Sequence, residues 1–204
     1  MLATRWALVV AFPAVEPVAN RRNYGGPVEP FLLQLAGWMG CGKSTIASAV
    51  ARERNVVVLD HDTTKSALLR ANVPHPPAGA ASYEVLFSVA ADLLVQGHSV
   101  AIDSPSLYPS IPERGMAIAR ALGVRYHFIE CQCSDELAAE RLMNRRGRLS
   151  QVTSAIAAEG VRQDAGRAPH RPNRGVLVLD TGRDLDSCVR EVLEYLEGPG
   201  ASDA

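Results

Sequence analysis

The stretch Gly37-Trp-Met-Gly-Cys-Gly-Lys43-Ser44-Thr45 carries the clearest chemistry in the chain. Glycines at 37, 40 and 42 let the backbone turn tightly and aim successive amide hydrogens at one point. A lysine follows as a point charge, with a hydroxyl beside it. That set suits a triphosphate. The amides of Gly37, Gly40, Cys41 and Gly42 cradle its oxygens, Lys43 neutralises the β- and γ-phosphates, and Ser44, with Thr45 adjoining, ligates magnesium. ATP and Mg2+ are therefore the expected ligands. The side chains of Trp38, Met39 and Cys41 are given no chemistry.

Two acidic clusters follow. Asp60-His61-Asp62, leading into Thr63-Thr64-Lys65, ends one apolar run, and Asp103-Ser104 ends another. In an open parallel sheet, ligands collect at the carboxyl ends of strands, so these groups should face the same cleft. Asp62 can accept the proton of a substrate hydroxyl as it attacks the γ-phosphate. Its alternative role is to cap a helix starting near Thr63, and the two roles are compatible. Asp60 is placed to hold a magnesium water or to orient Lys65. His61 reads as a strand-end residue. Asp103 fits the loose Walker B pattern, whose carboxylate reaches magnesium through water.

The elements that must position these groups are visible as alternating patterns. Short apolar runs at Phe31–Ala36, Val56–Leu59, Ser99–Ile102, Val124–Glu130 and Val176–Leu179 read as strands covered on both faces. Between them, Ser44–Arg54, Tyr83–Gln96, Pro112–Leu122, Asp135–Arg145 and Leu185–Leu196 carry apolar residues at helical spacing, among them Leu86, Val89, Ala90 and Leu93. Ser134 looks like the cap of an acidic helix start. The expected fold is α/β: a P-loop NTPase of three α/β/α layers, with a five-stranded, mainly parallel sheet and an arginine-rich lid. Asn72–Ala81, rich in proline, is expected to be a loop between helices. Residues 31–198 form the expected domain, with the lid at about 144–174. Residues 1–30 read as an edge strand or loosely ordered arm, and 199–204 as a disordered tail.

Composition bounds the possible functions. At 204 residues the chain suits one domain, and a net charge of -1 gives no global pull toward nucleic acid or membrane. The four cysteines, Cys41, Cys131, Cys133 and Cys188, make no C-x-x-C pair, which suits a reducing cytoplasm. The apolar run Trp6–Val15 is too short to span a bilayer, and Pro13 and Pro17 interrupt the region, so a secretory signal is the lesser reading. An acceptor pocket is expected between Asn72–Ala81, the helix from Tyr83, and Ser104–Ile111. Its lining of Tyr83, Phe87, Leu107 and Tyr108 suits a compact organic molecule, although Tyr83 and Phe87 also fit an ordinary core.

Taken together, GWMGCGKST, LDHDTTK, VAIDSP, the helix bearing Arg114, ELAAERLMNRRGR and VLVLDT resemble the AAA-type P-loop kinase family over roughly Phe31 to Leu196. That family includes polynucleotide kinase domains, zeta-toxin-like kinases and chloramphenicol phosphotransferase. The resemblance implies that the Asp of a D-x-x-R segment, the base or substrate anchor, falls on Asp62. The Arg of that segment falls on Lys65, which cannot form a bidentate clamp. It puts Arg114 on the substrate side. It matches R-L-x-x-R to Arg141 and Arg145, with Arg145 stabilising the transferring phosphoryl group and Arg141, Arg146 and Arg148 as alternates. Arg167, His170 and Arg171 fall where the family contacts the adenine region or lid hinge. The implied activity is transfer of the ATP γ-phosphate to a small-molecule hydroxyl. A nucleotide-dependent switch and a polynucleotide 5′-hydroxyl kinase are the alternatives. Nucleic acid is disfavoured by the near-neutral charge and the 5% aromatic content. Oligomeric state is left open.

Overall fold

Phe31–Ala36 is apolar at every position but Gln34, and all six residues are buried, as a strand covered on both faces requires. In the computed structural model, which describes residues 29–144 and 169–201, this strand, β1, lies at the centre of a five-stranded sheet. The others are β2 (Val57–Asp60), β3 (Val100–Asp103), β4 (Arg125–Gln132) and β5 (Val176–Asp180). They pair in parallel in the order β2-β3-β1-β4-β5. The described helices are α1 (Lys43–Arg54), α2 (His61–Arg70), α3 (His75–Val95), α4 (Ser110–Leu122), α5 (Asp135–Met143) and α6 (Leu185–Leu196). Strand alternation divides the core in two. Leu33, Leu35 and Ile129 pack with Ile46 and Val50 of α1 and Val192 of α6. Leu32, Ile102 and Phe128 pack with Phe87 and Ala90 of α3 and Met116 of α4. The expected α/β class and the parallel sheet are both present.

All the strands but β1 end later than their apolar runs. Asp60 and Asp103 are the last residues of β2 and β3, and the ladder pairs them with each other. Reading a strand as ending at its first charge placed these acids just outside the sheet. Inside it, the backbone ladder fixes them.

The stretch expected to be a proline-rich loop is mostly helix. α3 begins at His75, with Pro76 and Pro77 in its first turn. There the missing amide hydrogens cost nothing, because the first turn of a helix has no internal acceptors for them. The connection shrinks to Ala71–Pro74, turned by Asn72 at φ 63°. By length and composition α3 could cross a membrane, yet Leu86, Phe87, Ala90, Ala91 and Leu94 bury one side of it against the sheet. Val89, expected on that side, faces outward at 41% exposure. α4 approaches the sheet closely at Gly115, where a Cβ would sit 2.5 Å from Gln34 Oε1 and 2.8 Å from the Tyr126 ring. Beneath it the Tyr126 hydroxyl donates to Gln34 Oε1 at 2.8 Å.

α5 begins as expected, with Ser134 Oγ accepting from the Leu137 amide, and ends at Met143. Arg145, Arg146, Arg148 and Arg167 lie outside the described residues, as do most of the expected lid and nearly all of the N-terminal extension.

Candidate active site

The loop between β1 and α1 is shaped by glycine. Gly37, Gly40 and Gly42 have φ of 135°, 85° and 76°, in the region that disfavours side chains. A Cβ at Gly37 would also run into the Cys131 carbonyl. Gly42 is the N-cap of α1 and offers no side-chain oxygen, so no side chain blocks the helix amides at the loop. Lys43 Nζ donates to the carbonyls of Gly37 at 2.8 Å and Trp38 at 2.9 Å, which holds the ammonium across the loop.

Asp103 faces this loop from the end of β3. It is 4% exposed. Burial pushes its carboxyl up from the ordinary range, against the opposing pull of Lys43 and a hydrogen bond from the Ser44 hydroxyl, while Asp60 and Asp62 add to the rise. Ser44 and Asp103 thus present a linked pair of oxygens, the hard donors magnesium takes. Among the described residues no three His, Cys, Asp or Glu side chains cluster as a metal cage. Magnesium does not need one, since it fills its shell with water and phosphate oxygens.

The cap of α2 is Asp60, not Asp62. Asp60 Oδ1 accepts from the amides of Asp62 at 2.7 Å and Thr63 at 3.2 Å, and Oδ2 accepts from Thr63 Oγ1 at 3.1 Å. The helix starts two residues earlier than expected, so the capping position falls on the strand-end acid. Asp62 lies in the first turn, with Oδ1 3.8 Å from His61 Nδ1. Tyr83 adjoins this group. Its ring centre lies 4.2 Å from that of His61, and burial pushes its phenol upward, with Ser104 opposing and Asp62, Tyr108 and Asp103 adding. Ser104 is close enough to act on the phenol, but its Oγ makes no hydrogen bond of normal geometry. Lys65 is half-buried on α2. Phe87 is core at 1% exposure, whereas Tyr108 is 59% exposed.

The described arginines around the site have partners within the protein. Arg114 makes a two-pronged ion pair with Glu84, at 2.5 and 2.7 Å, and lies 4.9 Å from the Phe87 ring centre. Arg141 donates to the Thr181 carbonyl at 2.8 Å and reaches Gly40 O at 3.5 Å. His170 and Arg171 dock on the α3/α4 side of the sheet edge. The His170 amide donates to Ser106 O at 2.8 Å, and Arg171 pairs with Glu130 at 2.8 Å. Asp180 accepts from the Gly182 amide at 2.9 Å, and the cap of α6 is Asp184.

A cleft of about 400 Å³ runs from Gly42, Lys43, Ser44 and Thr45 to Arg141, Thr181 and Arg183. Sequence reading missed Arg183. The available signal was the VLVLDT run itself, since residues just past a parallel strand face the cleft. It also did not single out Glu130, which pairs with Arg171 at this sheet edge.

Residues 32–167 match a family model described as AAA domain. The structure resembles an APS kinase from Mycobacterium tuberculosis determined with AMPPNP and APS, at TM-score 0.62 and 22% identity, covering 84% of this chain and 100% of that one. A protein from Chloroflexus aurantiacus, provisionally described as a kinase, gives TM-score 0.68 at 22% identity over 85% of this chain and 100% of its own. A gluconokinase from Sinorhizobium meliloti gives TM-score 0.56 at 21% identity over 82% and 92%. At these identities the likeness is one of fold. No curated protein matches the sequence significantly.

Proposed function

The chain belongs to the AAA-type P-loop kinase family, and from that membership we propose that it transfers the γ-phosphate of ATP to a hydroxyl of a small molecule. The observation that carries this reading is the convergence at one sheet edge. Lys43 and Ser44 act on buried Asp103 from the loop side, and Asp103 pairs in the ladder with Asp60, which caps the helix that carries Asp62.

In this reading the amides of the 37–45 loop hold the phosphates, and Arg141, Thr181 and Arg183 border the base. Ser44 and Asp103 would hold magnesium, which would neutralise charge on the β- and γ-phosphates. Asp62 takes the proton from the acceptor hydroxyl. The freed oxygen forms a bond to the γ-phosphorus, and the bond to the β-phosphate oxygen breaks to release ADP. Lys43 stays with the β- and γ-oxygens as charge shifts to the leaving side. Arg145, outside the described residues, keeps the phosphoryl-stabilising role that the family resemblance gives it. Lys65 and Tyr83 border the acceptor. Arg114 acts through Glu84 to brace α3 rather than by touching substrate. The catalytic unit is residues 31–198, with the 144–174 segment as its lid.

Acceptor-stimulated ADP release tests this reading. Incubation with Mg-ATP and a broad panel of hydroxylated metabolites should reveal at least one that raises turnover well above the hydrolysis background. Uniform background across the panel would reject it.

A further inference from the structure

The groups of the 37–45 loop that would meet phosphate are local, but the loop is also held from beneath by residues far away in sequence. Lys43 takes the carbonyls of Gly37 and Trp38. The Thr181 hydroxyl, just past β5, donates to the Cys41 carbonyl at 3.0 Å, although 140 positions separate the two residues. Arg141 of α5 reaches the Gly40 carbonyl at 3.5 Å, the outer limit for a hydrogen bond.

Thr181 is itself fixed from several sides. It is 5% exposed and packs directly under the loop, since a Cβ on Gly42 would lie 3.5 Å from Thr181 Oγ1 and 3.4 Å from Arg141 Nη1. Its amide donates to the Gln132 carbonyl at 2.8 Å, its carbonyl accepts from Arg141 Nη2 at 2.8 Å, and its hydroxyl oxygen accepts from Arg141 Nη1 at 3.3 Å. One hydroxyl proton remains to be placed. The Gln132 carbonyl, also 3.0 Å from the hydroxyl, already takes the Thr181 amide, and the neighbouring Cys133 thiol is a weak acceptor. The Cys41 carbonyl gains most from that proton.

A trans peptide is planar, and its carbonyl and amide hydrogen point in opposite directions. While Thr181 holds the Cys41 carbonyl beneath the loop, the Gly42 amide must face the other way. Glycines on both sides of Cys41 make this peptide easy to flip, and a flipped carbonyl would set partial negative charge where an anion is to bind. Resting on the phosphate-binding role given to this loop in the kinase reading above, we propose that Thr181 is a positioning residue of the phosphate site. It acts through the Cys41–Gly42 peptide, holding the loop amides toward the β- and γ-phosphates, and Arg141 orients its hydroxyl.

The test is calorimetry on the full chain with Mg-ATP and with AMP, which shares the base and sugar but ends before the β-phosphate. Thr181→Val keeps the shape and removes the hydroxyl, and should weaken Mg-ATP about tenfold while AMP stays within about twofold. Thr181→Ser restores the hydroxyl and should bind Mg-ATP within about twofold of the parent. Melting curves certify folding, and if Thr181→Val melts early, Thr181→Ala carries the measurement. Unchanged Mg-ATP affinity, an equal loss for AMP, or a serine variant as weak as the valine one overturns this inference. No acceptor enters these titrations, so failure of every acceptor to raise turnover would remove the kinase reading alone. A parent chain that binds no Mg-ATP removes both.

Discussion

The two sides of the sheet edge are built from different materials. On the α1/α6 side, the proposed phosphate site is mainly backbone: glycines in left-handed conformations, the open start of a helix, and one lysine, all within residues 37–45. On the α3/α4 side, the proposed acceptor site is made of side chains drawn from α2, α3, the end of β3 and the 170–171 segment. Phosphate is the same in every nucleotide, so a fixed backbone cradle serves it. An acceptor is recognised by its own pattern of hydroxyls, which needs side chains brought together from far apart. The first kind of site can be shared across a family while the second is rebuilt.

If that division is real, the two sides should fail separately. Asp62→Asn should lower kcat by roughly 10²–10⁴-fold, as for loss of a general base. Calorimetry should find ATP affinity little changed, and a parallel loss would break the comparison. Lys43→Ala should reduce turnover roughly 10²–10³-fold by removing a fixed charge from the transferring group. Circular dichroism of that variant should match the parent.

Two smaller effects probe the layers behind each side. Gly115→Ala inserts a methyl between α4 and the Gln34–Tyr126 pair, and overpacking of this kind costs about 1–3 kcal/mol. Denaturant titration would measure it. Because α4 backs the acceptor side, acceptor KM should rise more than ATP KM. Behind the other side, His127 is fully buried between Phe31 and Tyr195, with both ring nitrogens unpartnered among the described residues. Burial, with Arg125 adding and Glu197 opposing, lowers its pKa from 6.5 to about 4. The unfolded chain therefore takes up a proton that the fold refuses until about pH 4, so stability is full above pH 6.5 and falls as pH drops through that window. The loss attributable to His127 is on the order of 3 kcal/mol at its lower end. His127→Phe should flatten this part of the melting-temperature profile. An unchanged slope would assign the acid sensitivity elsewhere.

The same division explains what could be read from sequence. The loop at 37–45 is contiguous, and its glycine, lysine and serine spacing is itself the geometry, so it was legible. So were the five apolar strands. The start of α3 was not, because proline's effect reverses between the interior of a helix and its first turn, and sequence alone does not say which applies at Pro76 and Pro77. The cap of α2 moved from Asp62 to Asp60 because a two-residue shift in the helix start reassigns the capping carboxylate. Arg114 was read as a substrate contact, and its ion pair with Glu84, thirty residues away in sequence, was not legible. His61 and Ser104 were placed at strand ends by sequence, but their burial there is revealed only by packing.

The hold of Lys43 on its own loop has a stereochemical consequence. An ammonium carries three hydrogens at tetrahedral angles, and the carbonyls of Gly37 and Trp38 take two of them. The third then has a single direction left. The lysine works as a tripod standing on two feet, its remaining leg aimed before any ligand arrives. A guanidinium, flat and forked, has no such stance, so Lys43→Arg should impair transfer almost as much as Lys43→Ala although the charge is kept.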